Sequence, residues 1–236
     1  MKKIINLMIV CFLVSSCATT GREDRIQEAE AHYKLGVAYS NEDKVQQAFV
    51  EFHKAYELDP RNKEVLNALG IIHLLQFDEP TRAIGYFEEA VKVDPEYSEA
   101  YNNLGYAYQK AGEFEKAISY YKKALSNPTY PTAEKAYYNM GFSYYRLGKF
   151  DAALNSFKEA IKRAPDLSLA YLGLALVYNA MGKYGDASTA MTQAIKLSPQ
   201  YRGDREKAAQ DFAVKKLGAK GYEENDYRDY LEILKY

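Results

Sequence analysis

The sequence predicts an all-α chain built as a superhelical solenoid of helix-turn-helix repeats. Three observations predict it. Five segments recur at intervals of 34–36 residues, each with a Gly or Ala among apolar and aromatic residues in its first half. The second half of each carries two alanines around an aromatic or methionine, and a proline follows near the close. Gly112, Gly148 and Gly182 stand at one equivalent position between the halves, where a left-handed residue ends a helix. Periods of this size are the mark of stacked supersecondary units, because one such unit cannot bury its apolar face alone.

Taken in order, the chain opens with a stretch that reads as an export signal, residues 1–16. Lys2 and Lys3 are its charged start, and Ile4 to Val14 form an apolar run broken only by Asn6. That run is shorter than the roughly 20 residues a spanning helix needs. Small Ser15 and Ser16 precede Cys17. The stretch Leu13-Val14-Ser15-Ser16-Cys17 resembles a bacterial lipobox. The resemblance implies cleavage before Cys17, lipidation of that cysteine by covalent acyl groups, and anchoring by several chains together. Ala18, where aspartate would signal inner-membrane retention, implies the outer membrane with the protein facing the periplasm. Cleavage would also remove Cys11, so the mature chain would hold no disulfide. Residues 17–28 are polar and read as a tether.

The first repeat, 29–62, places Leu35, Gly36 and Tyr39 on one helix and Ala48, Phe52 and Ala55 on the next. The second, 63–97, has Leu66, Leu69, Gly70 and His73, then Ala83, Phe87 and Ala90. It holds one extra residue in the turn QFDEPT. The third, 98–133, has Tyr101, Leu104, Gly105 and Tyr108, then Ala117, Tyr121 and Ala124, with a long exit SNPTYPTA. The fourth, 134–167, carries Tyr137, Met140, Gly141 and Tyr144, then Ala153, Phe157 and Ala160. The fifth, 168–201, carries Tyr171, Leu174, Ala175 and Tyr178, then Ala187, Met191 and Ala194. A small residue lets two helices approach, an aromatic fills the wedge between repeats, and proline stops the second helix. This pattern resembles the tetratricopeptide repeat (TPR), whose period is about 34 residues. Residues 202–236 match less well and read as a degenerate sixth repeat or C-terminal cap. Ala209 and Phe212 fall at the small and aromatic positions, and Tyr227, Tyr230, Leu231 and Leu234 follow a helical i, i+3, i+4, i+7 pattern.

Composition excludes some functions. A formal net charge of −1 gives no electrostatic reason to expect nucleic acid. His32, His53 and His73 fall at different repeat positions, with no Cys or paired carboxylate at ligand spacing, so no metal site is expected. No phosphate loop or nucleophile elbow occurs. The reading is of a protein that is not an enzyme and takes neither cofactor nor small-molecule substrate. The 23 tyrosines, against no tryptophan, suit half-buried helix contacts and binding surfaces.

The TPR resemblance implies a partner-binding groove lined by the first helices, and helical geometry picks the residues that look into it, those off the packing stripe at repeat positions 5, 9 and 12. These are Tyr33, Val37 and Ser40; Asn67, Ile71 and Leu74; Asn102, Tyr106 and Gln109; Tyr138, Phe142 and Tyr145; Leu172, Leu176 and Asn179. An apolar strip with asparagines suits an extended protein segment, its backbone met by amides and its side chains by rings.

Two irregular exits narrow the resemblance. The second-repeat turn Asp78-Glu79-Pro80, and the Tyr-Pro insertion Asn127-Pro128-Thr129-Tyr130-Pro131-Thr132 ahead of Asn139-Met140-Gly141, resemble those of the PilF/PilW/Tgl lipoproteins, the pilotins of the type IV pilus secretin. The resemblance implies a lipoprotein that binds secretin subunits and promotes their outer-membrane targeting and multimerisation. A general envelope scaffold of the NlpI type, tethering cell-wall hydrolases, is the alternative.

Overall fold

The computed structural model describes residues 2–236, with side chains from Gly21 onward. The apolar run, Ser15, Ser16 and Cys17 therefore lie outside the described side chains. The described residues form twelve helices and no strand. They follow as α1 (Lys2–Asn41) and α2 (Val45–Leu58), α3 (Lys63–Leu75) and α4 (Pro80–Val93), and α5 (Ser98–Lys110) and α6 (Phe114–Leu125). Then come α7 (Ala133–Arg146) and α8 (Phe150–Arg163), α9 (Ser168–Ala180) and α10 (Tyr184–Leu197), and α11 (Arg205–Gly218) and α12 (Tyr222–Ile233). Among the described residues no helix is long and apolar enough to cross a membrane. The chain divides into two compact units, residues 1–103 and 104–236, with the division falling inside α5.

Local chemistry explains the punctuation. Gly112, Gly148 and Gly182 take φ of +80°, +67° and +72° in the turns inside their repeats. The first two repeats use Asp43 (φ +58°) and Asp78 (φ +53°) at that turn, since aspartate is among the few other residues that tolerate the left-handed region. Pro80 starts α4, where its missing N–H goes unneeded. Asn62 and Asp204 cap α3 and α11 by accepting the N–H of Val65 at 3.0 Å and of Lys207 at 2.9 Å.

In the first unit, Phe52, Ala55, Val65 and Leu69 share one apolar cluster, and Leu66, Ala90 and Ala100 another. Leu35 occupies the same repeat position as Leu69 but stays 41% exposed, at the end of the array where no further repeat is described. The segment 17–28, expected as a tether, is part of α1. Arg25 donates from it to the carbonyls of Glu57 and Leu58, placing a cation on the C-terminal end of α2 where the helix dipole favours it.

In the second unit one cluster runs from Ala153 and Phe157 through Leu174 and Met191 to Phe212, Tyr230 and Ile233. Phe157 is fully buried between Gly141 of its own repeat and Gly173 of the next. In the last pair the buried small residue is Ala208, not Ala209, because Ala208 lies one full turn before buried Phe212 and shares its face. The insertion at 127–132 is more than a surface loop. Asn127 Oδ1 accepts from the N–H of Thr129 at 3.0 Å and from its hydroxyl at 2.8 Å, and the turn it closes drives Tyr130 to 6% exposure.

Candidate partner-binding face

In the first unit, the residues selected from the sequence separate into two groups. Tyr33, Val37 and Ile71 are half-buried and Ser40 is exposed, so each keeps surface for a partner. Tyr33 and Val37 also lean on the core, the Tyr33 ring 5.8 Å from that of Phe52. Burial, and then the carboxylates of Glu64 and Glu99, raise the Tyr33 phenol above its ordinary pKa, so it acts as a neutral hydrogen-bonding group.

Asn67, Leu74 and Asn102 are buried, at 5%, 3% and 7% exposure, and this corrects the expectation that they line an open groove. The reason lies at the next repeat position. Asn103 Nδ2 donates to Asn67 Oδ1 at 2.9 Å, and Asn102 Nδ2 donates to Asn103 Oδ1 at 3.4 Å. The amides expected to receive a partner backbone bond to each other across α3 and α5. Leu74 completes a buried run on α3.

In the second unit Tyr106 is half-buried, and Gln109 is committed to the fold. Its Oε1 accepts from the Tyr121 hydroxyl at 3.0 Å and from the Ser143 hydroxyl at 2.9 Å, joining α5, α6 and α7. Tyr138 and Phe142 form an edge-on pair 5.1 Å apart, and both rings also meet Phe157, at 6.2 and 5.2 Å. Burial holds the Tyr138 phenol protonated, far above its usual range, and pushes that of Tyr145 up to about 12. Leu172 is half-buried, whereas Leu176 is only 1% exposed and is also corrected from groove to core.

What buries Leu176 is α12. Tyr230 and Ile233 of that helix belong to the same cluster as Leu176. At one end of α12, Asp226 receives a two-pronged hydrogen bond from Arg146, Nη1 to Oδ1 at 2.7 Å and Nη2 to Oδ2. The guanidinium also lies 5.2 Å from the Tyr145 ring centre and 5.0 Å from that of Tyr222. Tyr222 meets Phe114 edge-on at 5.7 Å, and Lys110 reaches Glu223 at 4.0 Å. Beyond the other end, the Tyr236 hydroxyl donates to Asn179 Oδ1 at 3.3 Å. Leu176 of α9 and Arg146 of α7 therefore meet this chain's own last helix.

Sequence reasoning found α12 as an amphipathic helix but missed its seat. A signal existed. Lys110 and Arg146 occupy the same position of successive repeats, and Glu223 and Asp226, which they meet, stand three apart on α12.

Elsewhere, His73 is buried, stacked on Tyr86 at 5.2 Å and bonded through Nδ1 to Glu79 at 2.8 Å. Glu51 accepts from His32 at 2.5 Å and from Lys54 at 2.7 Å. Among the described residues no group of three or more metal-ligating side chains is assembled. An open cleft of about 640 Å³ between α9 and α10 is lined by Tyr171, Tyr178, Thr189 and Thr192, whose two threonine hydroxyls donate to backbone carbonyls of their own helix.

Comparison with known proteins places this geometry. Family models described as tetratricopeptide repeat match residues 29–62, 71–134, 134–167 and 169–201. The chain is 40% identical over 62 residues to the tetratricopeptide repeat domain-containing protein PYG7 of Arabidopsis thaliana, which is 26% of this chain and 20% of that protein. It is 25% identical over 125 residues to the type IV pilus assembly protein PilF of Pseudomonas aeruginosa, spanning 50% of this chain and 49% of PilF. The chain thus spans half or less of the length of these two curated relatives. Among solved structures it is similar to PilW, a widely conserved type IV pilus biogenesis factor, with a TM-score of 0.70 and 22% identity over 86% of this chain and 90% of that one. The structure of P. aeruginosa PilF matches with a TM-score of 0.68 and 20% identity, over 89% of this chain and 90% of that one. At these identities the two structures establish the fold.

Proposed function

This chain belongs to the tetratricopeptide-repeat proteins, and we propose that among them it is an outer-membrane lipoprotein of type IV pilus biogenesis. In this reading it is held by lipid on Cys17 and faces the periplasm. It binds secretin subunits and promotes their outer-membrane targeting and multimerisation. It works by binding and positioning, with no bond made or broken.

The observation that carries the reading is the match to PilF, a named type IV pilus assembly protein, across half of this chain. The Asn127–Thr132 insertion supports it, since a turn that buries Tyr130 is a built feature of the repeat array. Half-buried Tyr33, Val37 and Ile71 supply apolar surface for a partner in the first unit, and Tyr106 does so in the second.

The test is deletion in the native host, followed by replacement with Val37→Glu, Ile71→Glu or Tyr106→Glu. The expected outcome is loss of heat-resistant secretin multimers and of surface pili. Normal multimers in the deletion strain would overturn the reading. A second reading is a general envelope scaffold for cell-wall hydrolases, since the repeat itself is shared with proteins as distant as PYG7 of a plant chloroplast. Affinity capture from the native envelope separates the two, a secretin subunit supporting the first and murein hydrolases the second.

A further inference from the structure

A helix seated across the repeats has the geometry by which helix-in-groove recognition works, with anchors one and two turns apart on an amphipathic face. Three anchors of α12 share such a face. They are Asp226, then Tyr230 one turn on, then Ile233 two turns on, with exposures of 7%, 6% and 0%. Each makes a distinct contact. Asp226 takes the fork of Arg146, Tyr230 sets its ring 5.1 Å from that of Phe212, and Ile233 joins the cluster of Leu176. Glu223 adds a second, looser charge contact to Lys110 at 4.0 Å.

Arg146 sets the chemistry. Its side chain is only 12% exposed, and a cation so enclosed must be met by an acid or it is left uncompensated. Any segment that takes the place of α12 has to bring a carboxylate to that point. The connection to α12 permits departure. Residues 219–221 join it to α11, Gly218 ends α11, and Gly221 turns the chain at φ +61°. Through Glu223, Tyr222 and Asp226, α12 contacts Lys110, Phe114 and Arg146, and beyond its end Tyr236 contacts Asn179, while Tyr230 also packs on Phe212 of α11 at 5.1 Å.

We propose that the face of α7 and α9 that meets α12 is a helix-accepting site, that α12 is its resident occupant, and that the partner segment it takes is an amphipathic helix of the same chemistry. That helix carries two acids three residues apart, then an aromatic residue one turn and a branched aliphatic residue two turns beyond the second acid. The inference rests on the reading of this face as a partner surface. It makes α12 a competitor which the partner must displace, so binding is set by the difference between the two helices.

The test uses the full chain and a fluorescent peptide of residues 219–236. Wild-type protein, its site filled, is expected to bind the peptide weakly. Asp226→Arg, which repels Arg146 and frees the site, is expected to bind it at least tenfold more tightly. A peptide carrying Asp226→Asn should lose that gain. In wild-type protein, backbone amides of α12 should exchange with solvent at least tenfold faster than those of α7 and α9. Equal peptide affinity for the variant and wild type, with the variant folded by circular dichroism, would overturn the proposal. So would equal protection of α12 and α9, which decides the matter by itself if Asp226→Arg fails to fold. No secretin enters these measurements. Loss of the helix site with secretin multimers still dependent on the protein would sink this inference alone.

Discussion

The Phe157 ring stands where a side chain on Gly141 would begin: a Cβ there would lie 2.8 Å from the ring edge. The same relationship holds for Gly36 with Phe52, Gly70 with Phe87 and Gly105 with Tyr121. The fifth repeat alone changes both members, pairing Ala175 with Met191, and both are fully buried. A planar ring demands glycine opposite it, whereas the thinner, flexible methionine leaves room for one methyl group.

Gly141→Ala therefore sets two effects against each other. Helix propensity favours alanine by about 1 kcal/mol. Forcing a methyl group into a ring fixed on both sides costs about 1–3 kcal/mol, and Gly173 closes the other side of Phe157. The expected result is net destabilisation of up to about 2 kcal/mol by chemical denaturation. Adding Phe157→Met should recover most of it. A double variant no more stable than the single one would show that the ring is not the obstacle.

The turn residues give the opposite sign. Asp43 and Asp78 hold φ of +58° and +53° where the later repeats have glycine. A left-handed residue other than glycine costs about 1–2 kcal/mol, less for aspartate, while added glycine loosens the unfolded chain by about 0.5–1 kcal/mol. Asp43→Gly should be stabilising by a few tenths of a kcal/mol, and Asp43→Ala destabilising by about 1 kcal/mol. Thermal melts of the pair read both, and the order of the two variants is the decisive outcome.

Three carboxylates of the first unit make its stability depend on acid. Hydrogen bonds from Lys54 and His32 hold Glu51 below its ordinary value of 4.5, a bond from His73 does the same for Glu79, and one from Lys63 holds Asp94 below 3.8. Each folded value is depressed, so each favours the folded state above its unfolded pKa. That gain is lost as pH falls through the folded value. Unfolding midpoints should stay level from pH 7 to about 5 and drop below about pH 4.5. Glu51→Gln should flatten the drop. A stability that rose on acidification over that range would contradict the assignment.

How much of this was readable is clear from particular residues. The period, the Gly–ring pairs and the left-handed glycines are local and periodic, so the repeat architecture follows from them. Tyr33, Val37 and Ile71 keep accessible surface because their helix positions face outward within each repeat. Asn67 and Asn102 could not be placed that way, since their fate depends on Asn103 at a neighbouring position. Leu176 looked available because nothing in one repeat tells that a helix from beyond the array will lie on it. Its cover is non-local, specified by Arg146 with Asp226 across 80 residues.

The anchor makes a prediction independent of the repeats. If Cys17 is lipidated as proposed, fractionation should find the wild-type protein in the outer membrane. Cys17→Ser should move it to the soluble periplasmic fraction, since several acyl chains together give stable attachment and none gives nothing to hold it. A variant that stayed with the membrane would show that anchoring does not depend on this cysteine.

The last prediction concerns what Arg146 loses when Asp226 is removed. In a closed core, deleting one partner of a buried ion pair costs about 3–5 kcal/mol, because the other charge stays without water or counter-ion. Here the strain has another outlet. If α12 lifts away, Arg146 regains water, and the cost of Asp226→Ala is limited to the free energy that held α12 in place. Global unfolding of the second unit, read by exchange of α8 amides, should then change by less than about 3 kcal/mol, while α12 amides lose most of their protection. The double variant Arg146→Met with Asp226→Leu removes both charges and keeps apolar bulk at the contact, so it should restore α12 protection toward wild type. A loss of 3–5 kcal/mol shared equally by α8 and α12 would mean that the last helix is fused to the core and does not move as a unit.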